Sequence, residues 1–368
     1  MKNLQKNFYK TYKDIYHHRY EFNKNEKKDA KFLIKKNLLE CKIKKKDYKK
    51  LKVLNVGTGR EAFAFLELKT KSCQLIDLSP KTKKNAQYFQ KYYKNFDYQI
   101  KDFCISNLEL REFNYLYLNG VFHHFHSPEK ALKNIYKFSK KKSKYFFRIY
   151  RSGSIKFYIV DYIRKFISIK NQSQFNKEFK KKFDIKKLII DLSHENPLIH
   201  FHEMCVDNFF VPNLYLFDLN YLIKTFNNLG LKTIFHNKFR EYDHSVDRKD
   251  NTGISLCFEK NKDIKFSSSK KLKILDQIKD LNYKEDYIKN TNKIFVKNLK
   301  KIRMLDSKKK INLAIDLLFI CQSYRIFKFY NKQSQSKKLI ELSKLSLEYS
   351  TPKKIHLALQ NRIISEFS

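Results

Sequence analysis

Residues 51–62 have the sequence LKVLNVGTGREA, in which a mostly apolar run is followed by two closely spaced glycines. Residues 51–56 have the continuous apolar pattern of a buried parallel strand. Gly57 and Gly59 permit a tight turn and let the backbone approach a ligand closely. The apolar spacing that follows predicts a helix over residues 60–69. We therefore expect a strand, a turn and a helix at a ligand-binding edge.

The alternation of strand and helix continues along the chain. Further strands are predicted at residues 74–77, 96–101, 114–119, 145–150, 231–239 and 253–259. Ser79-Pro80 and Ser127-Pro128 should each open a helix, because Ser caps helices and Pro suits the first turn. Another helix should begin near Asn220 and end at Gly230. This order predicts an α/β fold with a seven-stranded, doubly wound, Rossmann-like sheet over residues 51–260.

Three other segments lie outside this alternation. Residues 1–50 are predicted to be a polar helical segment whose Tyr9, Tyr12, Tyr16 and Tyr20 form an aromatic stripe. The stripe fits core packing or a lid that closes over the site. Residues 151–207 are predicted to be an insertion. A Ser-rich boundary at residues 267–269 precedes a C-terminal all-helical domain, residues 270–368.

The C-terminal domain contains a segment, Ile311 to Ile320, that is apolar almost all round. A helix with this pattern is buried in a protein core. We therefore expect a helical bundle here, which would cover the pocket as a lid or join two copies in a homo-oligomer.

Asp77 ends the second predicted strand, twenty residues after Gly57. A carboxylate at this place can accept hydrogen bonds from both ribose hydroxyls of a nucleotide. GTGREA at residues 57–62 also fits the dinucleotide pattern G-x-G-x-x-A. On these residues alone, NAD(H) and other nucleoside cofactors both remain open.

Residues 45–260 resemble the class I S-adenosylmethionine-dependent methyltransferases. LKVLNVGTGREA is similar to their first motif, and QLIDLSPKTKKNA (residues 74–86) to the motif that ends in the ribose-binding acid. Asp102-Phe103 looks like the adenine-contacting pair. NYLYLNGVFHHFHSPEKALKNIY (residues 114–136) is similar to the fourth strand and its helix. The resemblance implies a methyltransferase that uses S-adenosylmethionine, with a seventh strand antiparallel beside the fifth.

The same resemblance implies a set of cofactor-binding residues at the strand ends. They are Asn55, Gly57, Thr58, Gly59, Asp77, Leu78, Asp102, Phe103, Asn119 and Gly120. The chain departs from the family pattern at three places. Asn55 replaces the usual acid, Glu61 replaces the third glycine, and Lys141-Lys142-Ser143 replaces Pro-Gly-Gly. Asn55 supplies no negative charge, so a decayed, non-enzymatic binding protein on this fold is an alternative.

Candidate catalytic residues follow the fourth and fifth strands. His124 is interpreted as a general base or as a histidine that packs near the cofactor. Tyr150 and Arg151 follow the fifth strand, and Arg151 could pair with a substrate carboxylate or phosphate. The segment DNFFVPNLYLF at residues 207–217 is expected to line the acceptor pocket. His200-Phe201-His202-Glu203 with Asp207 lacks a further spaced pair of ligands, so no metal site is predicted.

The composition leaves the acceptor open. There are 79 Lys+Arg against 37 Asp+Glu, a net charge of +42. An RNA methyltransferase is therefore a further alternative. However, the basic residues run along the whole chain, the abundant residue types have A/T-rich codons, and no aromatic RNA-binding motif is visible. A small-molecule acceptor is favoured over nucleic acid.

Cysteine spacing and hydropathy indicate the compartment. The six cysteines form no CxxC pair, so we expect reduced thiols that behave as small hydrophobes. No apolar run reaches the length of a membrane span, and the N-terminus lacks a signal-like apolar stretch. The expected location is the cytoplasm.

Overall fold

The computed structural model of the protein describes residues 11, 24–57, 59–105, 108–150, 155–183, 197–236, 253–262, 293–333, 337–349 and 352–368. The chain divides into two compact units. The first unit comprises Met1–Arg151, Asn213–Lys238 and Gly253–Lys279, and the second comprises Ser152–Pro212, Phe239–Thr252 and Asp280–Ser368. The predicted insertion and the predicted C-terminal helices both contribute to the second unit.

A seven-stranded sheet forms the centre of the first unit. Its strands are β1 Lys52–Val56, β2 Ser72–Asp77, β3 Phe96–Ile100, β4 Phe113–Asn119, β5 Ser139–Tyr150, β6 Leu231–His236 and β7 Gly253–Lys260. The spatial order is β3-β2-β1-β4-β5-β7-β6. The first five strands pair in parallel, whereas β7 runs antiparallel to β5 and β6. The predicted doubly wound, Rossmann-like sheet with an antiparallel seventh strand is confirmed.

Twelve α-helices lie in the described ranges. They are α1 Lys24–Glu40, α2 Arg60–Glu67, α3 Lys83–Tyr92, α4 Pro128–Lys137, α5 Ile155–Arg164, α6 Gln172–Phe183, α7 Pro197–Phe210, α8 Leu219–Asn228, α9 Lys293–Leu299, α10 Ser307–Gln333, α11 Lys337–Glu348 and α12 Pro352–Ser365. Helices α1 to α4 and α8 belong to the first unit. No helix in these ranges is long and apolar enough to cross a membrane.

Helix α1 packs on the sheet through one apolar face, formed by Ala30, Ile34 and Leu38. Asn37 Nδ2 donates to the Tyr117 hydroxyl at 2.9 Å. Just after the helix, the Cys41 thiol donates to Cys257 Sγ at 3.0 Å. The N-terminal segment therefore contributes to the core as far as it is described, while the tyrosine stripe of residues 9–20 lies outside the described residues.

All six cysteines are buried free thiols, as their scattered spacing led us to expect. Burial raises the pKa of Cys321 to about 12 and also raises that of Cys73. These thiols therefore stay protonated at neutral pH and pack as small hydrophobes.

Two local predictions differ from the structure. β5 begins at Ser139 rather than at residue 145, because a bulge opposite β4 absorbs the lysine-rich stretch. Lys142 adopts a positive φ of 68° within that bulge. Pro80 opens a 3-10 turn, Pro80–Thr82, instead of an α-helix, which begins only at Lys83. Ser127 does cap α4 as predicted, since its side chain accepts from the Lys130 amide at 3.3 Å.

The second unit is helical in the ranges described. Helix α10 passes through its middle and contacts α5, α6, α7, α11 and α12. The apolar segment predicted from the sequence is buried here, with Ile311, Ile315 and Leu318 fully enclosed. One carboxylate interrupts the segment: Asp316 pairs with Arg362 Nη2 at 2.9 Å and also with Lys182. These two ion pairs tie α10 to α12 and α6.

We expect Asp316→Asn to lower the free energy of unfolding by about 1–3 kcal/mol, because it weakens charge-assisted bonds to two other helices. Urea unfolding followed by circular dichroism measures this change. Glu341→Gln, at an exposed site on α11, removes the same charge and serves as the control. Equal effects of the two substitutions would show that net charge, rather than these ion pairs, controls stability.

Candidate functional site

The strand order reverses between β1 and β4, because successive strands run outward from β1 to β3 and then from β4 to β5. In open α/β sheets, ligands bind in the crevice beyond the carboxyl ends of the strands at such a reversal point. Four predicted groups of site residues follow the carboxyl ends of β1, β2, β3 and β4. The structure therefore brings them to the same edge of the sheet.

The turn from β1 to α2 depends on glycine. Gly57 adopts a φ of 129° and Gly59, the residue that caps α2, a φ of 79°. Gly57 also donates its amide to the Ile76 carbonyl at 3.0 Å. A Cβ on Gly59 would lie 2.7 Å from Leu75 Cδ2, in the buried core. The turn therefore has no room for a side chain at Gly59. Thr58, between the two glycines, lies outside the described residues.

Gly59→Ala should lower the free energy of unfolding by about 2–4 kcal/mol, through both backbone strain and overpacking. Gly120→Ala is the matched control. Its φ of 74° is similar, but a Cβ there meets nothing within 4 Å. Gly120→Ala should lower the free energy of unfolding by only about 1–2 kcal/mol. Thermal and urea unfolding would contradict this account if Gly120→Ala proved the more damaging substitution.

Asn55 lies near the end of β1 and is only 1% exposed. Its side-chain Nδ2 has no hydrogen-bond partner in the described part of the chain. A buried amide without a partner is unfavourable unless a ligand or water completes its bonding. The orphaned donor therefore marks a polar position that the protein itself does not satisfy, next to the glycine turn.

Asn55→Leu should raise the free energy of unfolding by about 1–2 kcal/mol, since it replaces an unsatisfied amide with an apolar side chain of similar size. Asn134→Leu is the control. Asn134 is also buried, but it donates to the carbonyls of Phe103 and Ile105 at 2.8 and 2.9 Å. This second change should destabilise by about 1–3 kcal/mol. If Asn55→Leu also lowered the free energy of unfolding, the Asn55 amide would be stabilising the folded protein rather than lacking a partner.

Asp77 is the last residue of β2, and Leu78 follows it. Its Oδ1 accepts from the Ser79 amide at 3.0 Å, and its Oδ2 accepts from the Thr82 hydroxyl. Burial raises the pKa of this carboxyl, and these hydrogen bonds oppose the shift. Both oxygens are therefore fixed in orientation, and each keeps a lone pair that can accept a hydroxyl.

The loop after β3 carries Asp102 and Phe103. Asp102 Oδ1 accepts from the Cys104 amide at 2.8 Å, and Asp102 Oδ2 lies 3.4 Å from His126 Nδ1. Among the described residues, Asp102, Cys104 and His126 are a group of possible metal ligands whose atoms lie within 4.8 Å of one another. Burial raises the pKa of the Cys104 thiol to about 12, so the thiol is protonated and a weak ligand. No sequence pattern pointed to His126, which reaches Asp102 only through the fold.

The histidine- and carboxylate-containing stretch of residues 200–207 lies on α7, in the second unit. His202 Nε2 is bonded to Asn176 Oδ1 at 2.9 Å. Burial lowers the pKa of His202 to about 4, so this histidine is neutral at physiological pH. It is bonded to a neighbouring amide within a packed helical region.

Asn119 ends β4, and its Nδ2 donates to Glu61 Oε1 at 2.9 Å. Glu61 is in the first turn of α2, at the place of the third glycine in the family pattern. The contact therefore connects the two sides of the reversal point. Gly120 follows, with its amide bonded to the Arg148 carbonyl of β5 at 3.0 Å. Sequence reasoning identified Glu61 only as a departure from the pattern, because the partner lies 58 residues away.

His123 and His124 form a 3-10 turn after β4, and their bonding fixes opposite tautomers. His123 Nδ1 accepts from the Tyr150 amide at 3.2 Å, so its proton lies on Nε2. His124 Nδ1 lies 3.0 Å from the Asn213 carbonyl, which can only accept, so His124 Nε2 carries a lone pair. The Tyr150 ring stacks on His123 with ring centroids 3.9 Å apart. In this tautomer, His124 Nε2 can accept a proton. Arg151, the other candidate after the fifth strand, lies outside the described residues.

The segment expected to line the acceptor pocket is divided between the two units, and residues 213–217 belong to the first. The Tyr215 amide donates to the His123 carbonyl at 2.8 Å, and the Phe217 amide to the Tyr150 carbonyl at 3.2 Å. This part of the segment thus holds the histidine turn and the end of β5 in place.

Comparison with known proteins gives a family match. Residues 54–147 match the family model described as a methyltransferase domain. No curated protein matches the chain.

Several solved structures are similar to this chain at low identity. A magnesium protoporphyrin IX methyltransferase from Synechocystis is 9% identical, with a TM-score of 0.42 over 71% of this chain and 100% of that one. A 1,6-didemethyltoxoflavin-N1-methyltransferase from Burkholderia thailandensis is 12% identical, with a TM-score of 0.37 over 64% and 79%. The N-methyltransferase NodS from Bradyrhizobium japonicum is 10% identical, with a TM-score of 0.34 over 59% and 84%. The resemblance to the class I methyltransferases is confirmed by the match of residues 54–147 to the methyltransferase-domain family model.

Proposed function

We propose that this protein is an S-adenosylmethionine-dependent methyltransferase that acts on a small-molecule acceptor. The observation that supports this best is the arrangement at the sheet edge. The glycine turn, Asp77, Asp102 and Asn119 follow four neighbouring strand ends around the reversal point, within the stretch that matches the methyltransferase family.

The residues present fit this cofactor. Asp77 is oriented to accept the ribose hydroxyls, and Asp102 with Phe103 would contact the adenine ring. Asn55 Nδ2, which has no partner in the described part of the chain, would gain an acceptor beside the turn at Gly57 and Gly59. Thr58 would contact the cofactor in the same turn, as the family resemblance implies. Leu78 and Gly120 would complete the walls. When bound, the cofactor supplies a methyl group on a positively charged sulfur.

The acceptor side is formed by His124 and Tyr150. In the tautomer set by the Asn213 carbonyl, His124 would take a proton from the acceptor through Nε2. Tyr150 would form one wall beside it, and Arg151 would pair with an anionic group of the acceptor. Methyl transfer is an in-line displacement, so positioning and exclusion of water by these groups supply most of the effect.

Calorimetry with S-adenosylmethionine and with NAD(H) tests the cofactor. The sulfonium compound should bind and NAD(H) should not. Asp77→Asn should weaken binding by about 1–3 kcal/mol, or about 5- to 150-fold, because one acceptor is lost. Asp97→Asn is the matched control: it removes the same charge near the opposite end of the neighbouring β3.

Three results would contradict parts of the proposal. Tight binding of NAD(H) without affinity for the sulfonium compound would identify a dinucleotide enzyme. Unchanged affinity in Asp77→Asn would place the ribose elsewhere. Tight cofactor binding combined with no methyl transfer to any compound of a broad small-molecule panel would favour the decayed, non-enzymatic alternative.

A further inference from the structure

A carboxylate is held at the reversal point of the sheet, although Asn55 at the end of β1 is neutral. Glu61 Oε1 accepts from Asn119 Nδ2 at 2.9 Å, and this bond joins the first turn of α2 to the end of β4. Since α2 directly follows the glycine turn, the contact spans the gap between β1 and β4. A fixed negative charge thus lies at the edge where the ligand is expected.

Glu61 forms no ion pair with a basic residue of the described ranges. Other carboxylates of the same unit do: Glu112 lies 2.7 Å from Lys140, and Glu67 lies 3.4 Å from Lys31. The chain has 79 Lys+Arg against 37 Asp+Glu, so basic partners are abundant. A partly buried carboxylate without a basic partner can attract a cation that enters the crevice.

The charge of Glu61 acts on its buried surroundings. The pKa of Tyr117 is raised, first by burial and then by the charge of Glu61. Arg148, opposite Asn119 in the sheet, shifts the same pKa in the other direction. Glu61 therefore interacts electrostatically with groups of this region that are shielded from water.

Glu61 can also stabilise the fold, apart from any electrostatic effect on a bound ligand. Acidic residues in the first turn of a helix stabilise it through the helix dipole. That role concerns folding only, and it would affect every ligand of the site equally. An electrostatic role toward the ligand would instead depend on the charge that the ligand carries.

We propose that Glu61, held by Asn119, makes the site selective for the positively charged sulfonium cofactor over its uncharged thioether product. This inference rests on the proposed function. In the transfer, a lone pair of the acceptor bonds to the methyl carbon, the C–S electron pair returns to sulfur, and an acceptor proton passes to His124. The sulfur thereby loses its charge, so Glu61 attracts the cofactor before transfer and ceases to attract the product afterwards.

The test is calorimetry on the full chain with S-adenosylmethionine and S-adenosylhomocysteine. These two ligands differ only in the methyl group and in the charge on sulfur. Glu61→Gln should raise the Kd for the sulfonium about tenfold or more and change the Kd for the thioether less than about threefold. Glu67→Gln, at the other end of the same helix, is the control and should leave the ratio of the two affinities unchanged.

Asn119→Ala provides a second variant, which keeps the carboxylate but frees it. It should shift the affinity ratio in the same direction by a smaller factor. Circular dichroism checks that each variant is folded. Equal weakening of both ligands, or tighter sulfonium binding in Glu61→Gln, would overturn the inference while the proposed function stands. Failure of the unsubstituted protein to bind either ligand would instead overturn the proposed function.

Discussion

β1 pairs in parallel with β2 on one side and with β4 on the other, and the register places Val56 opposite both Ile76 and Leu118. Because the side chains of a strand alternate between faces, this register fixes which residues share a face at the carboxyl edge. Asn55 and its neighbour Tyr117 therefore face α2, and the turn after Val56 lies between Asp77 and Asn119. A shift of one residue would separate these groups.

The fold could be predicted largely because its signals are local. The apolar run of β1, the glycines after it and the Ser127 cap each indicate an element from adjacent residues alone. Asp77 and Asn119 could be placed at the edge for the same reason, since each ends a strand. The start of α3 could not be predicted in this way, because a side-chain contact with the end of β2 precedes it. The Thr82 hydroxyl donates a hydrogen bond to Asp77, and residues Pro80–Thr82 form a 3-10 turn before the α-helix.

Other contacts that sequence reasoning missed join distant parts of the chain. Glu61 and Asn119 are 58 residues apart, and Cys41 and Cys257 are 216 apart. No periodicity records such pairs, because they arise only when the sheet is assembled. The long β5 was missed for a related reason. Its lysines 140–142 are indistinguishable from a loop until the bulge opposite β4 accommodates them.

The antiparallel insertion of β7 between β5 and β6 has a consequence for synthesis of the chain. β5 is complete at Tyr150, but its second neighbour begins only at Gly253, and β6, although made earlier, pairs with β7 alone. Until the ribosome has passed residue 260, β5 presents an open, apolar edge. Unpaired edges of this kind recruit other strands, and lysines discourage such pairing. The exposed lysines at residues 140–142 lie just before Lys144, where the pairing of β5 with β7 begins. They therefore stand where a nascent chain needs protection against aggregation.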